Sequence, residues 1–201
     1  DGHPSIYFGS TAYSGMQQHP QFKAKLSAYS QEIGTHWGAS RAGNVIVNIY
    51  EKTERKLACW AGSERALTLS SGFLSGRLLV DFVMATGRTT FYSPNCHAAL
   101  LPPGVKRATS WEELEEILTS HLMKKPTSKP VLFTDTIDFH EAPGLVLKQL
   151  KAIASKSTTL IADDSHGIGI LGKHGNGAYQ TLIELGFEEV LVCGSMGKAL
   201  G

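Results

Sequence analysis

Thr158-Thr-Leu-Ile-Ala-Asp163 and Glu189-Val-Leu-Val-Cys-Gly194 are two short apolar segments that decide the fold of this chain. Each has the length and β-branched content of a buried strand, and residues 178–185 between them show helical spacing of apolar side chains. Pro130-Val-Leu-Phe-Thr-Asp135 repeats the strand pattern, and residues 144–156 repeat the helical one. Apolar strands alternating with helices predict a three-layer α/β/α fold with a mainly parallel sheet.

The first part of the chain shows shorter patterns. Ser110 followed by Glu113 is a capping box, which marks the start of a helix. Gly62 is a typical helix end. We predict helices over residues 21–33, 51–62, 72–85 and 110–118 and strands over 66–71 and 89–93. We expect residues 1–55 to be an N-terminal segment that leads into a large domain over residues 56–201.

Composition excludes several classes of function. The 201 residues carry a formal net charge of +1, which gives no electrostatic reason to expect nucleic acid or an anionic membrane as partner. The apolar stretches are too short to span a bilayer, and the first residues have no signal-peptide pattern. Three cysteines without a CxxC pair predict buried free thiols in a reducing cytoplasm.

Functional residues gather where the predicted strands end. Ser71-Gly72, Asp163-Asp164 and the loop from Ser195 to Lys198 each follow a strand. Ligands of parallel α/β sheets bind outside the carboxyl ends of the strands, so we expect a binding site there. An acidic pair that closes a strand, and a lysine on a loop of small residues, are the groups that hold pyridoxal 5'-phosphate (PLP).

The chemistry of this cofactor assigns tasks to the residues. Asp163 or Asp164 can keep the pyridine nitrogen protonated, and Lys198 can bond the aldehyde if its amine is partly neutral. Backbone amides of Gly72 and Phe73 at a helix N-terminus can bind phosphate.

Two further side chains complete the predicted set. The hydroxyl of Ser195 can join the phosphate site. His97, after the strand at 89–93, is placed to cover the ring face.

Three competing interpretations of the motifs are weaker. Gly167–Gly172 matches GxGxxG, but its third glycine leads into more loop, which disfavours a dinucleotide site. Ser195-Met-Gly-Lys198 matches the SxxK of penicillin-binding hydrolases without the partner motifs that follow it there. A metal site from Asp163, Asp164, His166 and His140 lacks any usual ligand spacing.

With these residues assembled, the chain resembles the α-oxoamine synthase group of fold-type I PLP-dependent transferases, whose members include 8-amino-7-oxononanoate synthase. The resemblance runs from about Tyr7 to Gly201. Its most specific stretches are Asp163–Gly177 and Gly194–Gly201. Weaker matches are His19-Pro20, Gly38-Ala-Ser-Arg41, Gly62-Ser-Glu-Arg-Ala-Leu67, Ser71-Gly-Phe73 and Asn95-Cys-His-Ala98.

The resemblance implies a role for each matching residue. Lys198 would form the internal aldimine and later move protons at the substrate α-carbon. Asp163 would pair with the pyridine nitrogen, and His166 would bond the ring 3-oxygen. His97 would stack on the ring, and Ser195 with the backbone amides of Gly72 and Phe73 would hold the phosphate.

The resemblance also implies an activity, a partner and a missing part. The expected reaction is acyl transfer from acyl-CoA to the α-carbon of an amino acid, in a cytoplasmic homodimer with active sites at the subunit interface. An aminotransferase is the alternative; a metal-dependent hydrolase or a non-catalytic binding domain is more distant. We expect the chain to be truncated on its C-terminal side and to lack the small domain, so alone it should be inactive.

Three features depart from the family pattern. Tyr50 stands where many members have histidine, and Gly76 where they often have asparagine. Residues 134–143 are about three residues shorter than the usual segment and keep no clear equivalent of its serine. These departures fall where the substrate and acyl-CoA sides of the site are shaped.

Overall fold

Four parallel strands form the centre of the computed structural model, which describes residues 2, 9–38, 40–142 and 144–201. The strands are β1 (Thr90–Tyr92), β2 (Val131–Asp135), β3 (Thr159–Asp163) and β4 (Glu189–Cys193), adjacent in chain order. The predicted parallel sheet is confirmed. Three predictions include positions outside the described residues: the start of the resemblance at Tyr7, Ala39 in one weaker match, and Pro143 in the shortened segment.

Six α-helices accompany the sheet within the described part of the chain. They are α1 (Pro20–Ile33), α2 (Asn48–Ala61), α3 (Gly72–Ala85), α4 (Trp111–Lys124), α5 (Leu145–Ile153) and α6 (Tyr179–Ile183). The predicted stop at Gly62 is confirmed by its left-handed φ of 72°. Ser110 caps α4 by accepting from Glu113 N at 3.2 Å, while the Glu113 carboxylate accepts from Thr109 N, one residue before the cap.

The central strands β2 and β3 are buried because helices cover both faces of the sheet. Leu132 and Leu160 pack on one face with side chains of α4, α5 and α6. Phe133 and Ile161, one position further along the same strands, pack on the other face with side chains of α3. Successive strand residues point to opposite faces, so this division is what a sheet covered on both faces requires.

The strand predicted over residues 66–71 is wrong. The segment is not a strand in the structure, and Leu67 and Leu69 are exposed. Glu54 of α2 takes the place of a ladder partner and accepts from both the N–H and the hydroxyl of Thr68, at 2.6 and 2.8 Å. Alternating side chains favour a strand, but only a neighbouring backbone makes one.

Thiol burial matches the sequence expectation at two positions. Cys96 and Cys193 are free and buried, and burial raises the pKa of both thiols. The expectation is wrong for Cys59, which lies exposed on α2. Separately, no helix within the described residues has both the length and the apolarity to cross a bilayer.

Candidate active site

The carboxyl edge of the sheet brings together residues that are far apart in the sequence. The register places Asp135 at the end of β2 beside Asp163 at the end of β3, and Asp163 beside Cys193 of β4. The loop that follows β4 carries Ser195 and Lys198 past this edge. The strand ends therefore converge where parallel sheets bind ligands.

Lys198 is half-buried and contacts His166. Its Nζ lies 2.8 Å from Nε2 of the imidazole. Burial lowers the pKa of Lys198, while the negative charges of Asp163 and Asp135 act in the opposite direction. The lowered pKa increases the fraction of neutral amine, the form that attacks a carbonyl.

His166 is enclosed on several sides. Burial lowers its pKa first, and the positive charge of Lys198 lowers it further, while Asp163 raises it. The edge of the ring meets Phe139, with centroids 4.8 Å apart. Its Nδ1 lies 2.5 Å from the hydroxyl oxygen of Tyr13, a residue of the N-terminal segment.

The two adjacent aspartates have different surroundings. Asp164 is fully engaged in the fold, because its carboxylate accepts from the Thr136 hydroxyl at 2.5 Å and from Ala178 N at 2.8 Å. Asp163 accepts from Ser165 N at 2.8 Å, and its charge acts on both Lys198 and His166. Of the pair left open by the sequence, Asp163 is the one that faces the lysine.

Asp135 is a third carboxylate at this edge, and no role was predicted for it from the sequence. Burial first, and then the charge of Asp163, raise its pKa to about 7. It accepts from the backbone N–H of His97 at 2.7 Å and so ties the loop after β1 to the end of β2. The strand-end rule that selected Asp163 would also have selected Asp135.

His97 lies at the start of a short 3₁₀ turn over Ala98–Leu100 and is exposed. Its Nδ1 accepts from Ala99 N at 3.2 Å, which orients the ring. The ring of Phe73 stands nearly perpendicular to it, with centroids 6.5 Å apart. Both predicted residues are therefore neighbours, and His97 remains exposed.

The N-terminus of α3 meets the loop that carries the lysine. A Cβ on Gly72 would lie 2.8 Å from the Cβ of Ser195, closer than side chains approach, so the contact requires glycine. The first-turn N–H groups of Gly72 and Phe73 have no partner within the helix. Gly72 itself lies against Ser195, whose hydroxyl oxygen accepts from Gly197 N at 3.3 Å.

The glycines of the GxGxxG match serve packing. A Cβ on Gly167 would meet the Asp164 carboxylate at 1.9 Å, and one on Gly169 would meet the Cβ of Ala199 at 2.6 Å. Gly172 leads into a 3₁₀ turn at Lys173–Gly175 instead of an α-helix. The motif thus lacks the helix that a dinucleotide site needs. Among the described residues, no three His, Cys, Asp or Glu side chains are grouped to hold a metal ion.

A cavity of about 140 Å³ lies beside His97 and His166. Residues of the segment after β2, including Ile137, Asp138, Phe139 and His140, form one wall. This is the segment that is shorter than the family pattern and lacks its serine. Asn95 Nδ2 donates to Asp138 at 3.0 Å, so the short segment is fastened to the loop after β1.

The chain is similar in sequence to curated proteins that share one name. The chain is 28% identical over 202 residues to 8-amino-7-oxononanoate synthase of Saccharophagus degradans, covering 98% of the chain and 51% of that protein. It is also 28% identical over 213 residues to the enzyme of the same name from Cellvibrio japonicus, covering 100% of the chain and 52% of the relative. The resemblance to the α-oxoamine synthases is confirmed. No protein-family model matches the chain.

Solved structures of this group share the fold. Serine palmitoyltransferase from S. paucimobilis superposes with a TM-score of 0.75 at 22% identity, over 96% of the chain and 51% of that structure. The 8-amino-7-oxononanoate synthase of Francisella tularensis gives a TM-score of 0.69 at 18% identity, over 96% of the chain and 54% of that structure. The chain therefore spans about half the length of the proteins it matches.

Two departures from the α-oxoamine synthase pattern have a structural explanation. Gly76 lies where α3 crosses the 3₁₀ turn at Ala98–Leu100, and a Cβ there would be 3.0 Å from the Cβ of Ala99. An asparagine would not fit without moving that turn. The ring of Tyr50 supports the guanidinium of Arg41 at 4.9 Å, and Arg41 in turn pairs with Glu54.

Proposed function

We propose that this chain is the cofactor-binding part of a PLP-dependent acyl-CoA:amino acid C-acyltransferase. The observation that carries the proposal is the convergence of Lys198, His166 and Asp163 at the sheet edge. The similar serine palmitoyltransferase structure carries PLP, and the similar curated proteins are 8-amino-7-oxononanoate synthases. Because none of these relatives is named as an aminotransferase, the aminotransferase alternative is not favoured.

The residues at the edge fit the cofactor. An amine with a lowered pKa, a buried carboxylate and a helix N-terminus beside a serine are the donors and acceptors that PLP requires. Because Gly72 has no side chain, the backbone of α3 lies close to Ser195. A Cβ at position 72 would fill the space between them. Bound PLP supplies an electron sink for negative charge that develops at the substrate α-carbon.

Each residue then has a task that its surroundings support. Asp163 would hold a proton on the ring nitrogen, because a fixed negative charge favours the protonated form. The N–H groups of Gly72 and Phe73 with the Ser195 hydroxyl would bind the phosphate. Lys198 would hold the cofactor covalently and exchange protons at the α-carbon.

Two histidines complete the proposed set. His97 would cover one face of the ring and exclude water from it. His166 would direct Nε2 towards the ring oxygen. The free buried thiols of Cys96 and Cys193 fit a reducing compartment, and we expect the protein to work in the cytoplasm.

Reductive trapping tests the cofactor assignment. Purified protein mixed with PLP should develop a visible absorption band, and borohydride should then attach the cofactor to Lys198, as peptide mass spectrometry would show. Lys198→Ala should abolish the trapped product. Lys173→Ala, which removes an exposed lysine from the neighbouring glycine loop, is the matched control and should retain it. Label that survives in Lys198→Ala, or that spreads evenly over surface lysines, would contradict the assignment.

A second assay addresses the reaction type. Release of free thiol from acyl-CoA in the presence of glycine, alanine or serine would support acyl transfer. Conversion of the amino acid to its oxo acid without thiol release would instead show transamination.

We also propose that a second copy of the chain packs against α3. Leu74, Leu78 and Phe82 recur at intervals of four residues on this helix, and all three are exposed. Exposed apolar stripes of this size mark contact surfaces. Sedimentation of Phe82→Asp should show a shift from dimer to monomer, and a wild-type monomer at high concentration would refute the proposal.

A further inference from the structure

Tyr13 reaches the active site from outside the sheet. A tight turn, in which Gly15 N donates to Ala12 O at 3.2 Å, presents its side chain. Ser14 donates its hydroxyl hydrogen to the carbonyl of Ala199, next to Lys198. The segment around Tyr13 is therefore fastened directly to the loop that carries the lysine.

The imidazole of His166 links Tyr13 to Lys198. Tyr13 Oη is 2.5 Å from Nδ1, and Lys198 Nζ is 2.8 Å from Nε2, so both ring nitrogens have a partner. A neutral imidazole carries one ring hydrogen, and the hydrogen bond made by one nitrogen determines where that hydrogen resides. A phenol is a good donor, because its oxygen carries a weakly acidic hydrogen.

We propose that Tyr13 is a positioning residue that donates its hydroxyl hydrogen to Nδ1 of His166 and thereby keeps the ring hydrogen on Nε2, the nitrogen that faces Lys198. An N–H that points at the lysine can donate to a neutral amine and cannot accept from an ammonium. Tyr13 therefore favours the neutral, nucleophilic form of Lys198 through His166.

The other charged groups around Lys198 and His166 act through their charge and do not select which ring nitrogen carries the hydrogen. Asp163 and Asp135 face Lys198 and favour its ammonium form, and Asp163 also favours a charged His166. Positive charge at His97 or Lys198 disfavours the charged form of His166. Burial lowers the pKa of both groups, in agreement with a neutral imidazole beside a partly neutral amine.

The consequence for the cofactor rests on the proposed function. An N–H on Nε2 would be the donor that the ring oxygen of PLP needs. The tautomer itself is a property of the chain without cofactor and is testable there.

Amine modification measured against pH tests the inference. Acetic anhydride reacts with neutral amines, so the rate at Lys198, followed by peptide mass spectrometry, reports its pKa. In Tyr13→Phe, His166 is free to place its hydrogen on Nδ1 and to accept from the ammonium with Nε2. We expect the midpoint to rise by about one pH unit, which makes modification about tenfold slower below both midpoints.

Nitrogen NMR gives a readout that simple loosening of the segment would not produce. In wild-type protein at a pH where His166 is neutral, we expect Nδ1 to resonate as the bare nitrogen and Nε2 as the protonated one. In Tyr13→Phe, the two signals should move towards each other or exchange.

The control variant is Tyr29→Phe, which removes a hydroxyl from the exposed face of α1 and should change neither readout. Unchanged or faster modification of Lys198 in Tyr13→Phe would overturn the inference, as would a wild-type Nδ1 that carries the hydrogen. Both measurements omit PLP, so failure of cofactor binding would not affect their outcome.

Discussion

The sheet and the N-terminal helices are held in place by different forces. All five residues of β3 are buried, whereas α1 contains no buried residue and α2 only Ala58. The site residues on β2, β3 and the following loops therefore sit on a packed apolar core. The region before α3 is fastened to that core by a few polar contacts, such as Tyr13 to His166 and Asn176 Nδ2 to Trp60 O at 3.0 Å. In this molecule, apolar burial fixes the carboxyl edge of the sheet, and directional hydrogen bonds bring the N-terminal segment to it.

The largest effect should come from the core. Leu160→Ala removes a fully buried side chain from the centre of the sheet and should lower the free energy of unfolding by about 3 kcal/mol. Leu26→Ala on exposed α1 should cost about 0.5 kcal/mol or less. Urea denaturation of both variants measures the difference. Equal costs would mean that α1 is as firmly packed as the sheet.

A smaller effect should appear in the pH dependence of stability that arises from Asp135, at the carboxyl edge of the sheet. Asp135 keeps its proton up to about pH 7 in the folded state and loses it near pH 4 when unfolded. The folded state therefore binds the extra proton between these values, and stability falls as pH rises through this window. In the wild type we expect the free energy of unfolding to fall by about 2 kcal/mol across this window, and Asp135→Asn should remove that fall. The figure is smaller than the full pKa difference implies, because Asp135 is only partly shielded from solvent.

Melting curves at pH 4, 5.5 and 7 would measure that slope. Asp81→Asn is the matched control, because Asp81 lies exposed on α3 and is not among the groups that shift the pKa of Asp135. The same slope in wild type and Asp135→Asn would show that Asp135 is ionised throughout.

The opposite pH dependence is expected in the N-terminal region. Hydrogen bonds from Arg41, and then from Thr68, lower the pKa of Glu54 to about 2, below its ordinary 4.5. Its contribution is present above pH 4.5 and is lost as pH falls towards 2. Glu54→Gln should cost about 1 kcal/mol at neutral pH, since the pair lies near the surface.

Chemical denaturation between pH 2.5 and 6 would detect the loss. Glu51→Gln removes a carboxylate from a more exposed pair on the same helix and should have little effect. If Glu54→Gln destabilised the protein equally at pH 2.5 and pH 6, ionisation of Glu54 would not be the cause.

The convergence of the site residues at the carboxyl edge of the sheet could be predicted from sequence because its information is local. Asp163 and Lys198 each end or follow a short apolar strand, and parallel strands bring their carboxyl ends together whatever the details of packing. Gly72 and Ser195 could be placed in the same way, because Gly72 begins a helix and Ser195 follows a strand.

The parts that sequence missed depend on distant partners. Tyr13 meets His166 across 153 positions, and no periodic pattern marks it. The strand predicted at 66–71 failed because Glu54 satisfies Thr68 from the side. Strand position alone left Asp163 and Asp164 open and the resemblance favoured Asp163; the structure adds that Thr136 and Ala178 already donate hydrogen bonds to Asp164.

One feature of the sheet bears on how the chain behaves at high concentration. β4 is the last strand of the described sheet, and its Val190, Leu191 and Val192 are only half-buried. A strand in that position presents a row of backbone donors and acceptors, and Glu189 supplies the only charge along it. When these 201 residues are produced by themselves, such an edge recruits extended segments of other molecules, so concentrated solutions should precipitate through β4.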